Sequence, residues 1–332
     1  MSASNLQVLL ASRPQGWVTE NNFSIVETPL PQPKDGEVLV RNQYLSLDPY
    51  MRGRMNAEKS YAVPVALGAV MCGRTVGEVL ASNHPNFKPG DQVAGMLGWQ
   101  LYGCSDGSDL RQVDASRLPL PAYLGVLGMP GATAWIGLTD ICAPKAGETL
   151  VVTAASGAVG SVVGQLAKLR GLRVIGIAGG TEKCRYVVDE LGFDVCIDYK
   201  AGALHEDIKA ATPAGIDCLF ENVGGEIFDL LLARMNAFGR VAVCGLISQY
   251  NSAPYPLKNI ASMLINRLTM RGFIVSEHMQ RWPVAHQELA ALLGEGRLKY
   301  RETIAEGLRQ APAALIGLLK GQNFGKQIVK LF

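Results

Sequence analysis

The sequence predicts an α/β protein: a doubly wound parallel sheet preceded by a β-rich region. Three observations carry this. From Thr149 onward, strand-like apolar runs alternate with amphipathic helical stretches, the pattern of βαβ units. Six such runs occur, at 149–154, 173–178, 195–199, 216–222, 240–245 and 269–275, the number in a complete dinucleotide-binding sheet. Before about residue 125 the chain instead reads as strands joined by turns, with little helical periodicity.

In that first part, Glu37–Leu47 reads as a strand, and so do Val70–Leu80 and Gln92–Leu97. The last two are separated by residues 86–91, where Pro89-Gly90 signals a turn. One helix of the second part can be tested position by position. Val159, Val162, Val163, Leu166 and Ala167 fall at i, i+3, i+4, i+7 and i+8, a single apolar face. Lys168 and Arg170 sit where they complement the helix dipole, and Gly171 follows as a stop. Ala311–Leu319 reads as a helix and Phe324–Phe332 as a short strand; from pattern alone this tail fits either domain.

Composition narrows the class. A chain of 332 residues holds about two domains at ~100–200 residues each. It is 48% hydrophobic and 18% charged, which excludes a disordered, collagenous or disulfide-scaffold protein. Thirty-one basic against 29 acidic residues leave a net charge of +2, too weak a field to point to nucleic acid or an anionic membrane. The cysteines, at 72, 104, 142, 184, 196, 218 and 244, are odd in number and form no CxxC pair. They read as reduced thiols of a cytoplasmic protein. The four histidines show no metal-ligand spacing, so no metal site is expected. The N-terminus has no basic stretch leading into an apolar one, and no apolar run reaches 18 residues, so neither a signal peptide nor a membrane span is expected.

The most informative stretch is Thr149-Leu-Val-Val-Thr-Ala-Ala-Ser-Gly-Ala-Val-Gly160. A buried strand feeds a glycine turn that opens a helix. Gly157 lacks a Cβ that would block a pyrophosphate, Gly160 lets the helix pack on the strand, and the helix N-terminus presents N–H groups to the anion. Ala155 stands at the first glycine position, so the motif is incomplete, but its strand–turn–helix context is present. NAD-binding chains carry an acid about 20 residues further on, for the ribose 2′-hydroxyl. Here the strand ends in Gly179-Gly180 without one, and Lys183 follows within reach of a 2′-phosphate. Glu182 reads as a complement to the next helix dipole. NADPH is therefore the expected cofactor, against the plainer reading of Lys183 as a solvated surface lysine.

Six further segments bear a family resemblance: Leu47-Asp-Pro-Tyr-Met-Arg-Gly-Arg-Met55, Gly128-Met-Pro-Gly-Ala-Thr-Ala134, Ala155-Ser-Gly-Ala-Val-Gly160, Glu221-Asn-Val-Gly-Gly225, Cys244-Gly-Leu-Ile-Ser-Gln-Tyr-Asn251 and Asn323-Phe-Gly-Lys326. Over nearly its whole length the chain resembles the zinc-free medium-chain dehydrogenase/reductase proteins. Within them it is most similar to the branch of prostaglandin reductases, plant 2-alkenal reductases and bacterial NADPH-dependent curcumin reductases. The resemblance implies a GroES-like catalytic domain built from residues 1–124 and 301–332, an inserted NADPH-binding Rossmann domain at 125–300, and a homodimer. Zinc-binding cousins carry a Gly-His-Glu motif and a four-cysteine lobe; residues 68–73 here read Gly-Ala-Val-Met-Cys-Gly, and the lobe is absent.

The resemblance also assigns residues. Gly157, Ala158, Val159 and Gly160 would hold the pyrophosphate, and Lys183 and Tyr199 the 2′-phosphate. Asn222 and the segment with Cys244, Gly245 and Tyr250 would hold the ribose and nicotinamide. Phe273, Ile274 and Val275 would border the nicotinamide, and Asn323 would reach back from the catalytic domain. Plainer readings stand beside these: Tyr199 ending a strand, Asn222 capping a turn, 273–275 as core strand.

The implied reaction is reduction of a carbon–carbon double bond conjugated to a carbonyl in a small-molecule enone or enal. Hydride arrives at the β-carbon, and the resulting enolate oxygen needs a donor. Tyrosine suits, since it stays protonated at neutral pH. Tyr250 is expected to stabilise the enolate, with Tyr50 and Tyr61 lining the substrate cleft. In the alternative, the three only shape an aromatic pocket, and the proton comes from water or a ribose hydroxyl. Arg52 reads as a structural arginine rather than an anion clamp, and Met129 and Trp135 as packing. Competing activities are a quinone reductase of the same superfamily and a nucleotide-binding protein without catalysis.

Overall fold

The structure, a computed structural model, describes residues 4–332. Met1 to Ala3, part of the stretch read for a signal peptide, lie outside the described residues. The chain folds as two compact units, one formed by the residues up to Gly125 together with Glu302–Phe332, the other by Val126–Arg301.

The first unit opens with a hairpin of β1 (Ser4–Leu10) and β2 (Phe23–Pro29), paired antiparallel from Ser4↔Pro29 to Leu10↔Phe23. The sequence reading did not find this pair. It continues with β3 (Val38–Ser46), the short helix α1 (Tyr50–Arg54), β4 (Thr75–Ser82), β5 (Gln92–Gly95), β6 (Tyr102–Ser105) and β7 (Arg111–Gln112). The expected strand at 70–80 is shifted: its strand starts only at Thr75, and Val70 and Met71 bond β1 instead. Gly90 adopts φ +92 beside Pro89, the turn that the dipeptide signals.

The second unit begins with α2 (Met129–Ile136), which widens into a π-wound turn over 137–142. There follow β8 (Thr149–Thr153), α3 (Gly160–Leu169), β9 (Arg173–Ala178), α4 (Thr181–Asp189), β10 (Val195–Asp198), α5 (Leu204–Ala211), β11 (Ile216–Glu221), α6 (Gly225–Leu232), β12 (Met235–Val243), α7 (Ser262–Ile265), β13 (Thr269–Gly272) and α8 (Trp282–Gly294). All six strands are parallel, in the order β10-β9-β8-β11-β12-β13. Numbered within the unit this is 3-2-1-4-5-6, the doubly wound dinucleotide-binding topology. The last strand stops at Gly272, so Phe273–Val275 lie beyond it rather than inside it as the pattern suggested. Helices cover both faces, so β8 is buried throughout, and Val151, Ile175, Leu219 and Val241 meet in one core with Phe228 and Leu231 of α6.

The chain then returns to the first unit through β14 (Glu302–Glu306), α9 (Ala311–Leu319) and β15 (Lys326–Lys330). Strand β15 lies antiparallel to β3, from Ile328↔Ser46 to Lys330↔Tyr44, and parallel to β14. The seven-stranded sheet, β14-β15-β3-β4-β5-β7 with β6 also on β3, thus takes strands from both ends of the chain. Among the described residues no helix is long and apolar enough to cross a membrane.

Candidate active site

The carboxyl edge of the parallel sheet is built by four turns. The first follows β8. Ala154 turns the chain in the left-handed region at φ +51, its amide neighbour Ala155 donates to Ile177 O at 3.0 Å, and Gly157 N donates back to Ala154 O at 2.9 Å. This folds the turn so tightly that a Cβ at Gly160 would collide with the Ala154 carbonyl oxygen. No side chain caps α3, and its amides from Ser161 to Val163 donate within the turn to Gly157 O and Val159 O. Gly157, Ala158, Val159 and Gly160 all lie on this turn and helix start. Lys168 does more than face the dipole: its ammonium pairs with Asp194 at 2.9 Å.

The second turn follows β9. Asp198, the last residue of β10, accepts from Gly180 N at 2.8 Å and Lys200 N at 3.0 Å. Those hydrogen bonds, the Gly180 one foremost, hold its carboxyl below the usual range. Tyr199 comes next and lays its ring against Gly179, where a Cβ would meet ring atoms at 2.7–2.8 Å. Lys200 holds its ammonium 5.9 Å from the centre of that ring. Lys183, in the first turn of α4, is pushed below the ordinary lysine value, by burial first and then by the like charge of Lys200. Two cations and an aromatic face therefore converge where β9 and β10 end. Lys200 and Asp198 escaped the sequence reading, which named only Tyr199 at the end of β10; the adjacent Asp-Tyr-Lys was the available signal.

The third turn follows β11. Asn222 donates from its side chain to Thr153 O and from its backbone to Thr153 Oγ1, both at 2.8 Å. Glu221 is fully buried, and one of its oxygens accepts from Val223 N at 2.5 Å, Gly224 N at 2.7 Å and Thr153 Oγ1 at 3.1 Å. Its other oxygen is buried without a partner. Burial pushes this carboxyl up to about 7 despite those hydrogen bonds. Sequence reading passed over Thr153 and Glu221 because neither type, at a strand end, announces that it will be sealed from water.

The fourth turn follows β12 and rests on the third. Cys244 N and Gly245 N donate to Glu221 O, at 2.8 and 3.2 Å, and Ser248 bonds Val223 O through both backbone and hydroxyl. The Cys244 thiol is pushed up to about 12 by burial and by Glu221, so it stays neutral. Tyr250 folds its phenol back over this turn, accepting from Leu246 N at 3.4 Å. Beyond β13, Phe273 is buried edge-on to Phe220 at 6.4 Å, and Val275 O accepts from Trp282 Nε1 at 3.1 Å, with Ile274 between. Trp135 is buried, donates to Glu288 Oε2 at 2.6 Å and carries Arg281 over its ring at 4.8 Å, so it serves packing as the sequence suggested.

The remaining sequence candidates lie in the first unit. Tyr50 opens α1 with its hydroxyl 3.9 Å from Met96 Sδ. Burial, and secondarily the charge of Asp48, pushes its phenol well above the ordinary value, so it stays protonated at any physiological pH. The loop before it is anchored by Lys326, whose ammonium donates to Leu47 O at 2.5 Å and to Asp48 Oδ1 at 2.9 Å. Arg52 is buried and donates to Gly16 O and the Asn56 side chain, the structural role expected of it. Tyr61 is 61% exposed. Asn323 donates to Gly325 O at 2.7 Å.

Residues 6–113 match the family described as the N-terminal domain of oxidoreductase, and residues 158–291 the family described as zinc-binding dehydrogenase. The NADPH-dependent curcumin reductase of Escherichia coli (strain K12) is 47% identical over 98% of this chain and 97% of its own. The 2-alkenal reductase (NADP(+)-dependent) of Nicotiana tabacum is 42% identical over 98% and 97%. The solved structure of CurA in complex with NADPH, from Vibrio vulnificus, superposes with a TM-score of 0.94 at 47% identity, covering 98% of this chain and 99% of that one. The chain belongs to the medium-chain dehydrogenase/reductase superfamily, in the branch that contains the curcumin, prostaglandin and 2-alkenal reductases. Among the described residues no three His, Cys, Asp or Glu side chains are grouped so that they could hold a metal ion.

Proposed function

We propose that this protein is an NADPH-dependent reductase of the carbon–carbon double bond of α,β-unsaturated ketones and aldehydes, acting without zinc. The observation that carries the cofactor is the convergence of Lys183 and Lys200 beside Tyr199 at the end of β9 and β10. Like charges held together repel, and a 2′-phosphate between them relieves that repulsion; an unphosphorylated ribose offers no such gain. The glycine turn at the start of α3, from Gly157 through Ala158 and Val159 to Gly160, is the proposed pyrophosphate site, where the positive end of the helix dipole favours an anion. Asn222, Cys244, Gly245, Tyr250, Phe273, Ile274, Val275 and Asn323 are assigned to the ribose and nicotinamide portion.

Bound NADPH supplies a hydride for the β-carbon of the enone, as the names of the related reductases support. The protein's task is to neutralise the charge that then develops on the carbonyl oxygen. Tyr250 is the proposed hydrogen-bond donor to that oxygen, placed at the carboxyl edge of the sheet where such folds bind ligands. Tyr50 and Tyr61 are proposed as substrate-contacting groups of the first unit. The phenol of Tyr50 is held protonated, so it donates without bearing charge.

A homodimer is proposed as the working form. Among the described residues strand β13 pairs only with β12, and beside this open edge Leu264 and Ile265 are 85% and 66% exposed, which supports burial against a second copy. The seven unpaired thiols support a reducing, cytoplasmic setting.

The test is NADPH oxidation with an alkenal, a linear enone, a curcuminoid and a quinone, each repeated with NADH. Turnover of the alkenal or enone with NADPH is expected. Turnover of the quinone alone transfers the protein to the quinone reductases, and tight NADPH binding without any turnover makes it a nucleotide-binding protein.

A further inference from the structure

Glu221 knits three strand ends together, and nothing in the reduction chemistry uses it. Its carboxyl grips Thr153 at the end of β8 and the amides of Val223 and Gly224 in its own turn, while its carbonyl takes the amides of Cys244 and Gly245 after β12. It therefore fixes the turn that carries Asn222. The carboxyl itself is sealed from water, with all its hydrogen bonds on one oxygen and none on the other. An ionised carboxylate placed so leaves half its charge unsolvated, a state that burial strongly disfavours. The titratable group beside it is the Cys244 thiol, itself neutral.

We propose that Glu221 is a positioning residue for the cofactor, and that binding of the anionic dinucleotide at this sheet edge is linked to a proton held on its carboxyl. This rests on the assignment of NADPH to that edge. The free protein carries Glu221 partly ionised near neutrality, in keeping with a carboxyl pushed up to about 7. A dinucleotide adds negative charge at the same edge, so the complex favours the neutral acid. The proton comes from the buffer, and no bond other than the O–H is made. Affinity for NADPH consequently falls as pH rises through neutrality.

The experiment is a fluorescence titration of the intact protein with NADPH between pH 6 and pH 8.5, for the wild type and Glu221→Gln. The amide can still accept from Val223, Gly224 and Thr153 but cannot ionise. Wild-type Kd is expected to rise over this range by about tenfold more than that of the variant, the effect of a one-unit shift on binding. Equal pH slopes overturn the proposal. Should the variant not fold, difference infrared spectra of wild-type protein labelled with ¹³C-glutamate decide: NADPH added at pH 8 must raise a protonated-carboxyl band, and its absence overturns the proposal. A wild type that binds NADPH with no excess slope refutes this inference alone. A wild type that binds no NADPH at any pH refutes the cofactor assignment and the inference with it.

Discussion

The Lys326 ammonium lies 2.9 Å from Asp48 Oδ1, with both side chains nearly sealed from solvent at 4% and 7% exposure. The pair joins the last strand of the chain to the loop that ends in Tyr50, and Ser46 donates to the other Asp48 oxygen. Burial pushes the Lys326 ammonium below the ordinary lysine value, and Asp48 foremost, with Glu302, opposes that shift. Removing one partner leaves the other charged, buried and unpaired. Lys326→Met is therefore expected to cost about 3–5 kcal/mol in urea unfolding. The double variant Lys326→Met, Asp48→Asn is expected to recover part of that loss, and a double variant no better than the single would show that the pair is not the source.

Cofactor choice should respond to the lysines. A charge-assisted hydrogen bond to a phosphate is worth ~1.5–3 kcal/mol, so Lys183→Ala is expected to lower the preference for NADPH over NADH by about 10- to 100-fold. Lys200→Ala should act in the same direction. Steady-state kinetics with both cofactors measures this, and an unchanged preference in both variants refutes the phosphate assignment.

Tyr250→Phe removes one oriented donor while keeping the ring. On the order of 10²-fold loss in kcat with an enone is expected. Full turnover in this variant would leave the aromatic-pocket reading in its place. Tyr50→Phe then becomes the next variant to measure, because Tyr50 is the phenol that burial keeps protonated.

Stability should carry the signature of Glu221. Its carboxyl rises from an ordinary value of 4.5 to about 7 on folding, so the folded state holds a proton that the unfolded chain releases. The associated stability is fully present below pH 4.5 and is lost as pH rises through 7. The shift is worth about 3 kcal/mol at most. Thermal unfolding of wild type and Glu221→Gln at pH 5 and pH 8 should show the variant gaining on the wild type at the higher pH. A pH-independent difference between them would contradict the buried-acid picture.

The helix at 160–169 and the six parallel strands were legible because they rest on local patterns. Apolar spacing of 3.6 residues, β-branched runs and a glycine turn act within a dozen residues of chain. Strand starts were less legible where pairing, rather than residue type, ends an element. Val70 and Met71 bond β1 of the hairpin instead of continuing β4, and Phe273 to Val275 continues an apolar run past the last residue with a partner on β12. The hairpin of β1 and β2 was missed because a 12-residue connection separates strands whose burial depends on other parts of the sheet.

The site divides in the same way. The glycine turn and the lysine at 183 lie close in sequence to the elements that present them. Lys200 and Glu221 do not: the one acquires its meaning from Lys183, the other from Thr153 on a strand 68 residues earlier. The sequence by itself determined the α/β class, the glycine turn after β8 and the family. Only the tertiary structure decided that Lys326 meets Asp48 across 278 residues and that Glu221 is shut away from water with one oxygen unpaired. Charge pairing and desolvation depend on distance in space, and residue type and spacing along the chain do not encode that distance.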